Sequence, residues 1–281
     1  MPEKVIVTHI FPDLDAICAI WLLVKFDSDW KKARLEFVPA GQTWQKQAVD
    51  SDPTVVHVDT GLGRFDHHQT SERTCAAELV FNYLKQSKKI SLKYQSAVER
   101  LIKVVIEVDQ FEDFFWENAA DDRYEFFLPY LLDNLKLSGD LNDKELVYQG
   151  MALLDGVLFG LRQKCNSEEE IKKGVEFQTK WGKTLGIETQ LMFDMKLAHK
   201  LGYNLVVRKE SDKGFVSIKS QPKKELDLTL AFKALKQADK QADWFFHPSR
   251  HIISNGSRHN LAVRPSNLSL AEIKEVLTNL K

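Results

Sequence analysis

Acidic residues and histidines are concentrated in two short stretches of the sequence that could bind a metal ion. The first is His9-Ile-Phe-Pro-Asp13-Leu-Asp15, and the second runs from Asp59 to Asp66-His67-His68. Such a density of carboxylates and imidazoles is costly to bury unless a cation lies among them. These ligands suit manganese or magnesium, with iron, cobalt and zinc as alternatives, and no thiolate is placed to demand zinc.

Charge counting favours two ions rather than one. Asp13, Asp15 and Asp59, with Asp109 at the end of a predicted helix, bring four negative charges, which two divalent cations balance. Two ions that share a carboxylate can clamp a phosphoryl group and polarise a water molecule. Each stretch also has an alternative without metal, because Asp-x-Asp after a strand can be a helix cap and Asp66-His67-His68 can be a solvated turn.

Predicted strands and helices place these residues at one edge of a sheet. Val5-Ile6-Val7, residues 35–38 and residues 55–58 are apolar runs typical of strands buried on both faces. The intervening helix predicts crossover connections and a parallel α/β sheet. Ligands bind at the carboxyl ends of such strands, so we expect the residues after His9 and the residues after Val58 to converge there.

The rest of the chain predicts a helical continuation and then a smaller domain. Helices are predicted over 77–84, 98–106, 125–137 and 143–163, and from Asn166 to about His199 with an interruption near Gly186. A hairpin over 205–218, a helix over 228–238, a strand over 244–246, a polar loop over 247–260 and a final helix from about Ser269 follow. We therefore predict a catalytic domain over residues 1–199 and an α+β domain over residues 200–281.

Charge and cysteine content restrict the partners and the compartment. Residues 1–198 carry a net charge of −8 and residues 199–281 a net charge of +7, which suits a metal-binding body and a lobe for an anionic substrate, or simply a solvated basic surface. The three cysteines form no Cys-x-x-Cys pair, the apolar run over 16–24 is too short to span a bilayer, and no signal-peptide pattern is present. We expect a cytoplasmic protein without membrane association.

The order of these motifs resembles the DHH phosphoesterase superfamily, which includes RecJ-type nucleases, oligoribonuclease and pAp phosphatases, and manganese-dependent pyrophosphatases. The resemblance implies two ions, with manganese favoured and magnesium as the alternative. It implies that His9, Asp13 and Asp59 bind one ion and that Asp15, Asp59, His67 and Asp109 bind the other. Asp59 would bridge the ions and His68 would face the phosphate. Asp66 is then expected to orient a histidine rather than to bind metal.

A finer resemblance joins two distant segments. Phe65-Asp66-His67-His68-Gln69 and the segment from Phe245 to Ile252 are similar to motifs of the melanocyte-proliferating-gene exonuclease family, although Ser254-Asn255 stands where that family has Gly-Gly. The polar loop offers groups suited to phosphate oxygens, and the predicted substrate contacts are His247, Ser249, Arg250, Asn255, Arg258 and His259.

Three functions follow as hypotheses. The first is a two-metal phosphodiesterase, an exonuclease that hydrolyses RNA or short oligonucleotides. The second keeps this chemistry for a small substrate such as pAp, another nucleotide or pyrophosphate. The third is a non-catalytic protein that binds nucleic acid. The complete ligand set favours the two hydrolases.

Overall fold

The computed structural model describes residues 3–256 and 262–281, and the chain divides into two units after residue 162. The predicted substrate contacts Arg258 and His259 lie outside the described residues. Each unit has its own sheet: three strands in the first unit and six in the second. The predicted fold class, a parallel-sheet domain followed by an α+β domain, is confirmed.

Three parallel strands form the sheet of the first unit in the order β2-β1-β3. β1 spans Val5–His9, β2 spans Arg34–Val38 and β3 spans Val55–His57. The central strand β1 pairs with both neighbours, and its apolar residues are buried because helices and the other strands surround it. The three predicted strands are confirmed, and their carboxyl ends lie at the same edge.

Five helices belong wholly or partly to the first unit: α1 (Leu14–Phe26), α2 (Ala76–Gln86), α3 (Leu92–Asp109), α4 (Leu128–Ser138) and α5 (Asp143–Lys173). Short 3-10 helices span Trp44–Lys46, Glu112–Phe115 and Asp122–Phe126. Helix α1 is buried on all sides over its first ten residues and packs against α2 and α3. Its lack of a polar face explains its central position, because no side of it is suited to water.

The second unit contains a mixed sheet in the order β4-β5-β6-β7-β9-β8. Its strands are β4 (Val175–Thr179), β5 (Gly182–Glu188), β6 (Leu205–Lys209), β7 (Val216–Ser220), β8 (Phe245–Phe246) and β9 (Ile252–Asn255). Its helices are α6 (Met195–Lys200), α7 (Thr229–Ala238) and α8 (Leu270–Thr278). The predicted β6–β7 hairpin is confirmed, and so is the final helix, whose start is fixed by a capping box between Ser269 and Glu272.

The helix predicted from Asn166 to His199 is wrong over most of its length. Asn166 lies inside α5, and residues 175–188 form the β4–β5 hairpin, with Gly182 in the left-handed region at the turn. Strand β5 pairs in parallel with β6, so residues 175–200 belong to the second unit and the boundary falls earlier than residue 199. Val175, Phe177 and Thr179 alternate with polar residues, which is a strand pattern. The segment predicted as a polar loop over 247–260 likewise contains β9.

Within the described residues, no helix has the combination of length and apolar character that a bilayer-crossing span requires. None of the three cysteines forms a disulfide with another described residue, and Cys18 and Cys75 are buried in the first unit. Their burial raises the pKa of both thiols, which keeps them protonated and disfavours their use as metal ligands.

Candidate metal centre

The turn after β3 folds back on itself and brings the two halves of the second motif together. Asp59 adopts a left-handed backbone conformation with φ of 54°, and its amide donates to the carbonyl oxygen of Phe65 at 2.9 Å. Residues with side chains rarely adopt this conformation outside tight turns and functional sites. The turn places the Asp59 carboxylate within 3.4 Å of His67 Nε2 and 3.6 Å of His68 Nδ1.

The structure brings all six predicted ligands into three overlapping groups whose ligand atoms lie within 4.8 Å of one another. The groups are His9-Asp13-Asp59, Asp15-His67-Asp109 and Asp59-His67-His68. Asp59 and His67 each occur in two groups, and the group of Asp15, His67 and Asp109 does not contain Asp59. The first two groups come from β1, α1, α3 and the turn after β3, so the parallel sheet edge gathers residues that are far apart in sequence.

Two buried atoms in this centre lack hydrogen-bond partners within the described part of the chain: Asp59 Oδ1 and His67 Nε2. They lie 3.4 Å apart without the alignment of a hydrogen bond. When His67 is protonated the two atoms form an ion pair, whereas with a neutral imidazole both buried atoms are left without a partner. Ligands that are each about 2.0–2.2 Å from one ion lie roughly 3.0–3.4 Å apart, and a divalent cation between these two atoms would satisfy both. The residues therefore fit a metal site.

Asp15 is held in place by the start of helix α2. Its two carboxylate oxygens accept hydrogen bonds from the amides of Ala76 and Ala77, at 2.7 and 2.8 Å, and the side chain is buried. The amino end of a helix favours a negative charge, which reduces the cost of burying this carboxylate. Its Oδ2 lies 3.8 Å from His67 Nε2, so the helix fixes Asp15 in a position to share an ion with that histidine.

Asp13 combines two roles that the sequence left as alternatives. Its Oδ1 accepts a hydrogen bond from the amide of Ala16 at 3.0 Å, so Asp13 is the N-cap of α1. The same side chain belongs to the group with His9 and Asp59. A carboxylate has several acceptor positions, and capping uses only one of them. Capping and metal binding are therefore compatible.

Asp66 contacts a histidine and belongs to none of the three ligand groups of the described residues. Its Oδ1 accepts from the backbone amide of His68 at 3.0 Å and lies 2.8 Å from His68 Nδ1, while its Oδ2 accepts from the amide of Leu62 at 2.7 Å. Donation from Nδ1 to a carboxylate leaves Nε2 of the exposed His68 ring for a different partner. These contacts are compatible with the predicted positioning role of Asp66, which stays a prediction.

Gln110 is a supporting residue that the sequence did not indicate. Asp109 is the last residue of α3, where the helix dipole disfavours a carboxylate, and its Oδ2 accepts from Gln110 Nε2 at 2.9 Å. The same amide donates to the carbonyl oxygen of Thr74 at 3.2 Å, which ties Asp109 to the segment before α2. The one sequence feature that points to this contact is an acid followed directly by an amide side chain at the end of a predicted helix.

Replacing Gln110 with Ala is expected to weaken manganese binding by about 10- to 100-fold, the range usual for residues that orient a metal ligand. Calorimetric titration of the metal-free protein measures this effect. Gln95→Ala is the matched control, because Gln95 lies on the same helix and donates to the carbonyl oxygen of Ile90, away from the ligand groups. Equal affinities for the two variants would contradict the supporting role.

The ionisable groups of the centre alter one another's pKa because they are buried together. Burial raises the pKa of Asp15 well above its usual value, and the charges of Asp59 and Asp109 raise it further. Burial also raises the pKa of Asp13 and of Asp109. For Asp59 burial acts in the same direction, but the contacts with His67 and His9 outweigh it and lower the pKa.

Both histidines of this network hold a proton in the metal-free protein. Burial opposes the charge of His9, but its contacts with Asp59 at 3.2 Å and with the Ile10 carbonyl raise its pKa to about 9. The contact with Asp59 likewise raises the pKa of His67 to about 9 against the effect of burial. The imidazolium groups then supply positive charge to the carboxylates.

The metal-free protein is expected to lose stability as pH rises from about 6.5 to 9. His9 and His67 have pKa values of about 9 in the folded state and about 6.5 when unfolded, so their stabilisation is complete below pH 6.5 and disappears through pH 9. A metal ion requires neutral imidazole, so binding at pH 7 is expected to release about two protons. Melting temperatures with and without manganese, and titrations in buffers of different ionisation enthalpy, measure both effects. A pH-independent melting temperature for the metal-free protein would contradict the assignment.

A cavity of about 300 Å³ lies beside the ligand groups. Its lining residues are His9, Asp13, Ala40, Gly41, Asp59, Leu62, Asp66, His68 and Asp109. The cavity is within the size range of small-molecule sites. It therefore provides space for a phosphoryl group next to the ligands, with His68 at its wall.

The predicted substrate contacts of the second unit differ in their exposure to solvent. His247 and Ser249 are exposed and bonded together, with Nδ1 and Oγ 2.8 Å apart. Arg250 is also exposed, with a left-handed φ of 63°, and forms an ion pair with Asp227 at 3.1 Å. Asn255 has an exposure of 0%, and its amide donates to the carbonyl oxygens of Asp243 and Arg264. Both amide hydrogens of Asn255 are used within the second unit, whereas its Oδ1 has no hydrogen-bond partner among the described residues, and the substrate contact stays a prediction.

Comparisons with known proteins provide structural neighbours of low similarity. No family model and no curated protein matches the chain, whereas 23 chains of solved structures do. One is a pGpG-specific phosphodiesterase, PggH of Vibrio cholerae, with 14% identity, a TM-score of 0.33 and coverage of 90% of this chain and 92% of that one. Another is the DHH domain of a member of a family of ribosomal proteins, with 12% identity, a TM-score of 0.32 and coverage of 99% and 87%. A third is an exopolyphosphatase-related protein from Bacteroides fragilis, with 13% identity, a TM-score of 0.23 and coverage of 98% and 90%. TM-scores this low do not assign a function, so any functional assignment depends on the geometry of the ligand groups.

Proposed function

We propose that this protein is a metal-dependent phosphodiesterase of the DHH type that hydrolyses RNA or short oligonucleotides. The observation that carries the proposal is the convergence of the six predicted ligands into overlapping groups whose ligand atoms lie within 4.8 Å of one another. Four of these ligands are carboxylates, and two divalent ions, manganese or magnesium, would balance their charge. Such ions polarise a phosphoryl group and activate a water molecule.

The proposed roles follow from the contacts of each side chain. His9 and Asp13 would hold one ion, Asp15, His67 and Asp109 the other, and Asp59 both. Hydrolysis adds a water oxygen to phosphorus and breaks the bond to the leaving oxygen, so negative charge grows on the phosphoryl oxygens. The His68 ring contacts Asp66 through Nδ1 and lines the cavity, and in its doubly protonated form it would donate from Nε2 to one of these oxygens. His247, Ser249, Arg250, Arg258 and His259 stay phosphate contacts that are predicted from the sequence alone.

The finer specificity of an RNA exonuclease is supported by sequence alone. Phe65-Asp66-His67-His68-Gln69 and the segment from Phe245 to Ile252 carry the likeness to the melanocyte-proliferating-gene exonucleases. End-labelled oligoribonucleotides incubated with manganese, with products separated by length, test it. A ladder that shortens from one end is the expected result, whereas intact RNA alongside cleavage of a generic phosphodiester would contradict the exonuclease and leave a phosphodiesterase.

A second candidate function is hydrolysis of a small phosphorylated molecule such as pAp or pyrophosphate. The net charge of −8 over residues 1–198 favours it, because a long polyanion is repelled by an acidic surface. The two candidates differ in salt dependence. A nucleic-acid track gives binding that weakens steeply with salt and strengthens with chain length, whereas a small-molecule site gives neither effect.

A further inference from the structure

An open cavity lined by aromatic rings lies in the first unit, next to the metal centre. Its volume is about 490 Å³, which is within the range of ligand sites. Its lining residues are Phe111, Asp113, Phe114, Phe115, Ala119, Ala120 and Tyr130. The rings of Phe114 and Phe115 are perpendicular, with centroids 5.4 Å apart, and both side chains are exposed. Exposed aromatic residues grouped around one cavity indicate a binding surface for a ligand or a partner molecule.

Phe111 connects this cavity to the metal centre. It follows Asp109 by two residues and also lines a second cavity of about 170 Å³, together with Asp13, Asp15 and Asp109. A group seated against Phe111 would therefore lie one side chain away from three proposed metal ligands. The ring is 81% exposed, and the backbone has a left-handed φ of 56°. An exposed phenylalanine held in an unfavourable conformation gains no stability from burial, and such strain is concentrated at functional sites.

The polar groups of the aromatic cavity limit the chemistry of its occupant. Asp113 accepts a hydrogen bond from the Tyr130 hydroxyl at 2.8 Å and lines the same cavity. No basic residue is among the described residues of the lining, and residues 110–127 contain six acids and one base. A phosphate chain would be repelled there, whereas a planar ring with N–H donors would stack on the phenylalanines and donate to the carboxylate. A nucleobase has both properties.

We propose that this cavity binds a nucleobase of the substrate, stacked against Phe111 and adjacent to the phosphate at the metal centre. The inference rests on the proposed function, because the metal centre supplies the phosphate position. It selects substrates with a base, such as nucleotides and dinucleotides, over pyrophosphate, which has none. It also favours short substrates over long RNA on this face, since the acidic stretch repels a continuing backbone.

Equilibrium binding separates this inference from catalysis. Calorimetric titration of the full chain with manganese compares adenosine 5′-monophosphate with ribose 5-phosphate, which lacks only the base. Stacking on an aromatic residue changes affinity by about 5- to 150-fold. We expect the nucleotide to bind more tightly by this factor, and Phe111→Ala to remove most of the preference. Phe126→Ala is the matched control, since Phe126 is 80% exposed in the same segment and lines neither cavity.

The outcomes distinguish the two proposals. Equal affinities for the nucleotide and the sugar phosphate, or an equal loss of preference in Phe111→Ala and Phe126→Ala, would overturn the base site. A preference lost only in Phe111→Ala supports it, whether or not the bound nucleotide ester is hydrolysed. Absence of hydrolysis of every phosphodiester tested with manganese would instead overturn the proposed function, because the titration does not depend on turnover.

Discussion

Asp59→Asn is expected to reduce manganese-dependent hydrolysis of a generic phosphodiester by about 10²- to 10³-fold or more. Asp59 contacts His9 at 3.2 Å and His67 at 3.4 Å, one proposed ligand of each ion, so an amide there removes negative charge beside both proposed ions. Loss of one partner from a buried charge cluster costs about 3–5 kcal/mol. This range corresponds to the stated loss when it falls on the transition state. Steady-state rates with bis(p-nitrophenyl) phosphate measure it.

The interpretation of this variant depends on a control for folding and charge. Asp140→Asn also removes one negative charge, but Asp140 is exposed in the loop between α4 and α5. It is expected to retain full activity, and circular dichroism checks that both variants are folded. Activity of Asp59→Asn close to that of Asp140→Asn would remove the shared-ligand role.

Removal of metal with EDTA is expected to lower the melting temperature by about 5–10 °C. Asp13, Asp15, Asp59 and Asp109 lose their counter-ions, and two imidazolium groups compensate only in part. At a metal concentration about 100 times Kd, binding stabilises the fold by roughly 2.7 kcal/mol. A change of 1 kcal/mol shifts the melting temperature by about 2–4 °C for a protein of this size. Differential scanning calorimetry at pH 7, before and after chelation, provides the measurement.

The same experiment on Asp59→Asn identifies the source of the shift. If the stabilisation comes from this centre, EDTA changes the melting temperature of the variant much less than that of the parent protein. Asp140→Asn should retain the full response. An unchanged melting temperature for the parent protein, or an undiminished response in Asp59→Asn, would contradict a metal pair at this position.

Short-range patterns predicted the first unit well and the middle of the chain poorly. Val5-Ile6-Val7 is an unbroken β-branched run, and a parallel strand buried on both faces requires such a run, so β1 was predictable from sequence. The β4–β5 hairpin was mistaken for helix because its outer strand is half-polar and short. What fixes it is pairing of β5 with β6, a contact between segments about 20 residues apart that periodicity does not report.

The sequence by itself identified the side chains that come together in the ligand groups, because residues that follow neighbouring parallel strands converge at one sheet edge. Only the tertiary structure decided how each one is held. The amino end of α2 fixes Asp15, Asp66 fixes His68, and Gln110 fixes Asp109. Packing likewise buried Asn255, and it placed Phe111 at a cavity that Asp13, Asp15 and Asp109 also line. These assignments depend on side-chain directions and on distant neighbours, which are set by packing and which residue spacing along a chain does not encode.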